Sequence, residues 1–334
     1  MNKNFTNLTI YVLILFYLLY DFSIYQSNKY HSSKNIEIIK KNHGVDGNAV
    51  SIAILDTGIN NEKNNINISK KLNFTKDNSK SKDLDGHGTY ITSIISSKKF
   101  GIAPKSEIYI GKVMRYSNKG DFQDVSKGVR WATNQSVDII LMSLGGKSYS
   151  VELEREIKRA MKKDILVISA VGNDGISNRD TVMYPAKYKG VLGVGAIDDR
   201  EKIWFKSSKG AGIDVVAPGS NIPGYDLNSN IVKYSGTSSA AAYVAGIAAL
   251  IKQSNKNISS DELKNAILKT AKSTGSKYVY GEGILQVEKS IMYHRNVKKI
   301  WMLTVIRSIF FLMLLAIYSL FFLNKYPKSK FTID

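Results

Sequence analysis

The sequence predicts an α/β domain built on a doubly wound, mostly parallel sheet with helices on both faces, flanked by N- and C-terminal hydrophobic membrane segments. Three observations carry this. Short, continuous apolar runs recur through the middle of the chain, helical patterns lie between them, and a long uncharged stretch stands near each end. Apolar runs without polar alternation suit strands buried on both faces, and their alternation with helices implies parallel β-α-β crossovers.

The first apolar stretch, Leu8 to Tyr20, follows a short segment containing Lys3. At about 13 residues it is short for a span and suits the apolar core of a signal sequence. The following DFSIYQSNKY holds no clear small-x-small cleavage site, so a removed signal peptide and an uncleaved signal anchor remain equal readings of residues 1–28.

A folded domain, residues 29–290, comes next. VSIAIL (Val50–Leu55), EIYIGKV (Glu107–Val113), DIILMSL (Asp138–Leu144), ILVISAV (Ile165–Val171) and VLGVGAI (Val191–Ile197) read as its strands. Gln123–Asn134 and Ser150–Lys163 read as helices, and Ser259-Ser260-Asp261-Glu262 is a capping box opening a helix through Thr270. In such a sheet, functional groups gather beyond the carboxyl ends of the strands.

Residues 291–334 hold the second apolar stretch, Ile309 to Leu323. Extended back to Ile300 it reaches about 24 residues, interrupted by Arg307, which is enough for a transmembrane helix with that side chain snorkelling to the interface. Lysines and arginines stand on both sides, so they do not fix its orientation. A short N-terminus before a long folded domain favours export of that domain, and a cytoplasmic tail follows from two crossings. The expected location is the cell membrane, with the folded domain extracytoplasmic.

Composition narrows the function. The 334 residues are 43% hydrophobic and contain no cysteine, which excludes disulfides and thiolate metal sites. Four histidines argue against a multi-histidine metal centre. The net charge of +19 arises from scattered bases with no aromatic-interleaved basic stripe. That pattern fits a solvated surface beside an anionic membrane rather than nucleic acid.

Three residues carry the chemistry. Asp56 ends an apolar run and is followed by Thr57-Gly58. His87 stands between Gly86 and Gly88, whose freedom permits close backbone approach and places the ring at a helix start. Ser238 follows Gly236-Thr237 and opens a run of small residues, so it meets the positive end of a helix dipole. Acyl transfer by serine needs a hydroxyl, an imidazole to take its proton, and a carboxylate to orient the imidazole. Taken singly, each has a structural reading: an Asx turn, a surface histidine, an N-cap serine.

Together the segments ILDTGI, DGHGTYITSI and GTSSAAAYVAG resemble the Asp, His and Ser motifs of the subtilisin-like serine peptidases (subtilases), in that family's own order. The resemblance covers residues 34 to 288 and implies a catalytic triad of Asp56, His87 and Ser238. ISAVGNDG resembles the oxyanion-hole segment, with Asn173 as side-chain donor. MSLGG resembles the segment lining the primary specificity pocket, which implies substrate contacts at Ser143, Leu144, Gly145 and Gly146. YSNKGDF, with Gly120, occupies the place of the edge that pairs with substrate.

The departures are specific. Ser239 stands where the family has Met, Ala242 and Tyr243 where it has Pro and His, and Tyr90 where it has a second His. None carries the triad chemistry. Met183, in TVMYP, stands where relatives often have Gly in the specificity pocket and would disfavour a large aromatic P1 side chain. The stretch from His87 to Pro104 is short where secreted relatives hold a tight calcium loop. No cofactor is therefore expected, and calcium elsewhere stays open. NIEIIKKNHGVDGNAV resembles the start of a mature enzyme and leaves no room for the usual folding pro-domain.

The expected function is a membrane-anchored serine endopeptidase acting on a protein or peptide substrate, with a specific processing role favoured over bulk degradation. The alternatives are a catalytically silent subtilase-fold binding module at the membrane and a membrane scaffold or transporter component. Nothing in the sequence sets the oligomeric state.

Overall fold

The computed structural model describes residues 36–60, 66–116, 119–177 and 179–293, with 302, 304–306, 308–313 and 315–316. Its centre is a seven-stranded sheet. The strands are β1 (Ser51–Asp56), β2 (Ile68–Asn73), β3 (Glu107–Lys112), β6 (Ile139–Met142), β7 (Leu166–Ala170), β8 (Leu192–Ile197) and β9 (Val215–Pro218). Their order is β2-β3-β1-β6-β7-β8-β9, and every pairing is parallel. The chain passes from β1 to β2 and β3 on one side of β1, then crosses to β6 on its other side. β1 thus lies at the switch point where ligands bind in open α/β sheets, and Asp56 is its last residue.

Successive residues of a strand serve opposite faces, so one apolar run feeds two cores. Ile52 and Ile54 join the core under α2 (His87–Ser96), α5 (Thr237–Ser254) and α6 (Ser260–Thr270). Ala53 and Leu55 join the core under α3 (Phe122–Asn134) and α4 (Val151–Lys162). Helices therefore cover both faces, as expected. α5 is buried along most of its length. Its small residues let neighbours approach: a Cβ on Gly246 would fall 2.7 Å from Ile102 Cβ.

The predicted elements recur within a residue or two at each end, including the reciprocal Ser259–Glu262 capping box of α6. Other elements carried no apolar run. β2, ISKKLN, is an edge strand whose middle four residues are exposed. β10 (Ile222–Tyr225) with β11 (Ile231–Tyr234), and β4 (Met114–Arg115) with β5 (Lys119–Gly120), are small antiparallel pairs. α1 (Ile36–His43) buries Ile39, and α7 (Lys277–Tyr280) is one turn.

The apolar segment of residues 1–28 lies outside the described residues. Of the C-terminal stretch, residues 308–313 and 315–316 are helical, with Phe311 and Leu312 exposed. Among the described residues, no helix is long and apolar enough to cross a membrane.

Candidate active site

Asp56 is buried at the carboxyl end of β1. Its Oδ1 accepts from Thr57 N–H and from His87 Nδ1, each at 2.7 Å. Its Oδ2 is buried without a hydrogen-bond partner among the described residues. That leaves negative charge beside the imidazole, where it stabilises a proton on the ring far better than in water.

His87 is the first residue of α2, and Gly86 before it takes a left-handed φ of 105°. A Cβ on Gly88 would collide with the Gly58 carbonyl, so α2 starts against the turn that follows Asp56. Asp83 fixes this entry by accepting from Thr57 Oγ1, Thr89 N–H, Thr89 Oγ1 and Gly86 N–H at 2.7–2.9 Å. Burial acts to raise the Asp83 pKa; the hydrogen bonds from Gly86, Thr89 and the Asp85 N–H outweigh it and hold the carboxyl below its usual range.

The His87 side chain is 22% exposed. Burial pulls its pKa down. The Asp56 charge and hydrogen bond, then the charges of Asp85 and Asp83, outweigh this, and the net shift is upward from 6.5.

Ser238 is the second residue of α5, and it lines with His87 and Asn173 a cavity of about 460 Å³. Its Oγ donates to the Ser143 carbonyl at 3.0 Å, while Ser143 Oγ donates to the Ser238 carbonyl at 3.1 Å. The hydroxyl is thus parked on the MSLGG segment rather than bonded to the imidazole. Asn173 Oδ1 accepts from Thr237 N–H at 3.0 Å and Thr237 Oγ1 at 2.9 Å. With the carbonyl end so held, the amide nitrogen is the end left for the cavity, beside the first N–H groups of α5. Two donors at a helix N-terminus can hold an oxyanion.

Met183 packs against the MSLGG segment and against Gly172, the residue before Asn173. A Cβ on Gly145 would fall 3.0 Å from Met183 Cβ, and one on Gly172 would fall 3.0 Å from both its Cγ and its Sδ. The side chain thus packs closely against two glycine backbones. Gly146 exchanges two hydrogen bonds of 2.9 Å with Tyr184, so its backbone is already engaged. Leu144 is buried, and Gly120 pairs with Met114 in the β4–β5 hairpin.

Several supporting residues carry no motif signal. Lys112 is fully buried at the end of β3, donates to the Thr57 and Lys82 carbonyls at 3.1 and 3.0 Å, and lies 3.3 Å from Asp77 Oδ2. Burial raises the Asp77 pKa; hydrogen bonds from Ser79 and then Lys112 overturn this and bring it to about 2. Register explains the placement: Lys112 pairs with Asp56 across the sheet. A lysine at the end of an apolar run could have been flagged; its partners, 30 to 55 residues away, could not. Among the described residues no group of three or more His, Cys, Asp or Glu could hold a metal ion.

Comparison with known proteins identifies the family. The family model described as the subtilase family matches residues 47–283. The chain is 35% identical over 252 residues to subtilisin BL and to subtilisin Savinase, both from Lederbergia lenta, covering 74% of this chain and 92% of each relative. It is 35% identical to an alkaline protease from Alkalihalobacillus alcalophilus, covering 65% of that relative. With three motifs in order, a hydrogen-bonded Asp–His pair and two subtilisins matched over 92% of their length, the chain belongs to the subtilase family and is a serine endopeptidase.

Proposed function

We propose that Ser238 is the nucleophile, His87 the base and then the acid, Asp56 the group that orients and charge-balances His87, and Asn173 with the Ser238 N–H the oxyanion donors. The hydrogen bond of 2.7 Å from His87 Nδ1 to Asp56 carries this reading, because it fixes the tautomer that leaves Nε2 to accept a proton. Attack requires Ser238 Oγ to leave the Ser143 carbonyl by rotation about one side-chain bond. Ser143, Leu144, Gly145, Gly146 and Gly120 line the substrate path. Met183 shortens the P1 pocket, which favours small side chains. The reaction needs no cofactor, since these side chains supply every proton transfer.

The enzyme is membrane-anchored, with the peptidase domain of residues 29–290 outside the cytoplasm between an N-terminal segment (1–28) and a C-terminal span with a basic tail (291–334). The uncharged stretches 8–20 and 309–323 support this. Tethering and a narrowed pocket favour a processing role over degradation. Alkaline extraction of membranes tests the anchor: release of the full-length chain into the soluble fraction would exclude it.

The parked Ser238 hydroxyl favours one second reading, a silent fold that binds without cleaving. A fluorophosphonate probe separates the two. Labelling of the wild type and not of Ser238→Ala supports catalysis; absence of labelling in folded protein supports the silent module.

A further inference from the structure

One face of the domain gathers apolar side chains that the fold leaves uncovered. Ile176 is 73% exposed and Phe205 is 65% exposed. The two line one shallow hollow of about 470 Å³ with Ile203, Val279, Tyr280 and Lys209. Tyr278, beside Val279 in α7, is exposed as well. Apolar side chains exposed singly are ordinary, but a contiguous group marks a surface that meets something.

Charge around the hollow says what it meets. Among the described residues no carboxylate lines it. The acids on the adjoining segments are already neutralised: Asp174 pairs with Lys147 at 3.1 Å, Asp180 with Lys187 at 3.0 Å, and Glu282 with Lys277 at 2.7 Å. Lys206 and Lys209 form no ion pair among the described residues, and Lys206 Nζ lies 5.5 Å from the centre of the Phe205 ring. The core of a protein-binding surface is depleted in lysine. Exposed rings and aliphatic tips beside unpaired lysines suit a bilayer instead, where the apolar groups enter the headgroup boundary and the ammonium groups meet lipid phosphates.

The patch is tied to the catalytic machinery. Gly175 N–H donates to the Lys206 carbonyl at 2.9 Å, and Ser208 N–H donates to the Gly172 carbonyl at 2.9 Å. A Cβ on Gly175 would collide with the Ser207 carbonyl, so the two segments lie in direct backbone contact. Asn173 stands inside this bonded unit, three residues from Ile176, which is at most about 11 Å of chain. We propose that this face docks on an anionic lipid bilayer and so presents the cleft to peptide bonds held close to the headgroups. The inference rests on the reading that the chain works at a membrane, and it names the substrate class: segments of membrane-bound peptides next to the bilayer. Enzyme and substrate on one surface meet at a raised effective concentration, which a freely diffusing protein does not share.

The chain has no cysteine, so one introduced at a time carries a single fluorophore. The full chain is reconstituted into phosphatidylcholine vesicles with or without phosphatidylserine, labelled at Ile176→Cys or at Leu72→Cys. Leu72 is exposed on β2, the opposite edge of the sheet from β9. Nitroxide-bearing lipids should quench the label at 176 several-fold more than the label at 72, and high salt or omission of phosphatidylserine should reduce the difference. The unlabelled chain is then assayed on one peptide, free or tethered to lipid. The double variant Ile176→Ser/Phe205→Ser should lower the tethered-over-free ratio of kcat/KM several-fold and leave the free peptide unchanged. Lys206→Glu/Lys209→Glu should do the same on phosphatidylserine vesicles alone. Equal quenching at 176 and 72, in a chain that floats with vesicles and resists alkaline extraction, overturns the inference and leaves the anchor standing. A chain that neither floats nor is quenched overturns both. Quenching at 176 in a chain that alkali releases supports docking and removes the anchor. Equal loss on free and tethered peptides would make the hollow a substrate subsite, and quenching that ignores lipid charge but grows with protein density would give it to a second copy; either overturns the inference.

Discussion

The Tyr90 hydroxyl lies 3.0 Å from Ser239 Oγ, which joins the helix that begins at His87 to the helix that carries Ser238. Both residues depart from the family's motifs, where His and Met are usual, and the two departures meet. Tyr90 also donates toward the Ile222 carbonyl at 2.9 Å, and its ring lies against Tyr234 at 5.0 Å. A buried phenol needs such partners, because an unpaired one costs about 1–3 kcal/mol.

The pair is expected to behave as a unit. Tyr90→Phe and Ser239→Ala should each lower stability by roughly 1 kcal/mol, and the double variant should lose less than the sum. Urea unfolding of the four proteins measures this. Strict additivity would mean that the two hydroxyls do not act together.

Asn173→Ala should lower kcat by about 10²–10³ with little change in KM, the range known for one oxyanion donor in a subtilisin itself. Thr237→Val removes the hydroxyl that holds Asn173 Oδ1 at 2.9 Å and should lower kcat by about tenfold. Steady-state kinetics on a neutral peptide checks both. If Thr237→Val matched Asn173→Ala in size, Thr237 would be acting on the substrate directly.

His87 must be neutral to accept the Ser238 proton, and the folded protein raises its pKa. The acidic limb of kcat/KM should therefore lie above 6.5, with activity falling as pH drops through it. Asp85→Asn removes one of the charges that raise this pKa and should move the limb to lower pH. A limb that stays put, or moves upward, contradicts the electrostatic account.

Met183→Gly should open the space between Gly145 and Gly172. The expected effect is a gain of about tenfold or more in kcat/KM for a Phe P1 peptide relative to an Ala one. A library profile of the two proteins reads it directly. Equal profiles would show that the thioether does not define the pocket.

Asp77 has a folded pKa of about 2 against 3.8 in the reference state, so it stabilises the fold above pH 3.8 and that contribution is lost as pH falls toward 2. Asp77→Asn should therefore cost about 2 kcal/mol or more at neutral pH, since Lys112 also loses its buried counter-charge. The difference from wild type should shrink on acidification below pH 4. A gap independent of pH would trace the loss to packing instead.

The sequence by itself determined the α/β class, the strands buried on both faces, the capped helices and the identity of the catalytic candidates. Each of these leaves a local mark: an apolar run, a capping box, a glycine frame. The tertiary structure alone decided what meets what. It parked Ser238 on Ser143, set Met183 against Gly145 and Gly172, and buried Lys112 on the strand beside the one that ends in Asp56. These pairings join residues 11 to 95 positions apart, and no periodicity encodes them. They arise because parallel strands in register deliver distant segments to the same end of the sheet, where the free energy of each contact depends on neighbours that only the assembled fold provides.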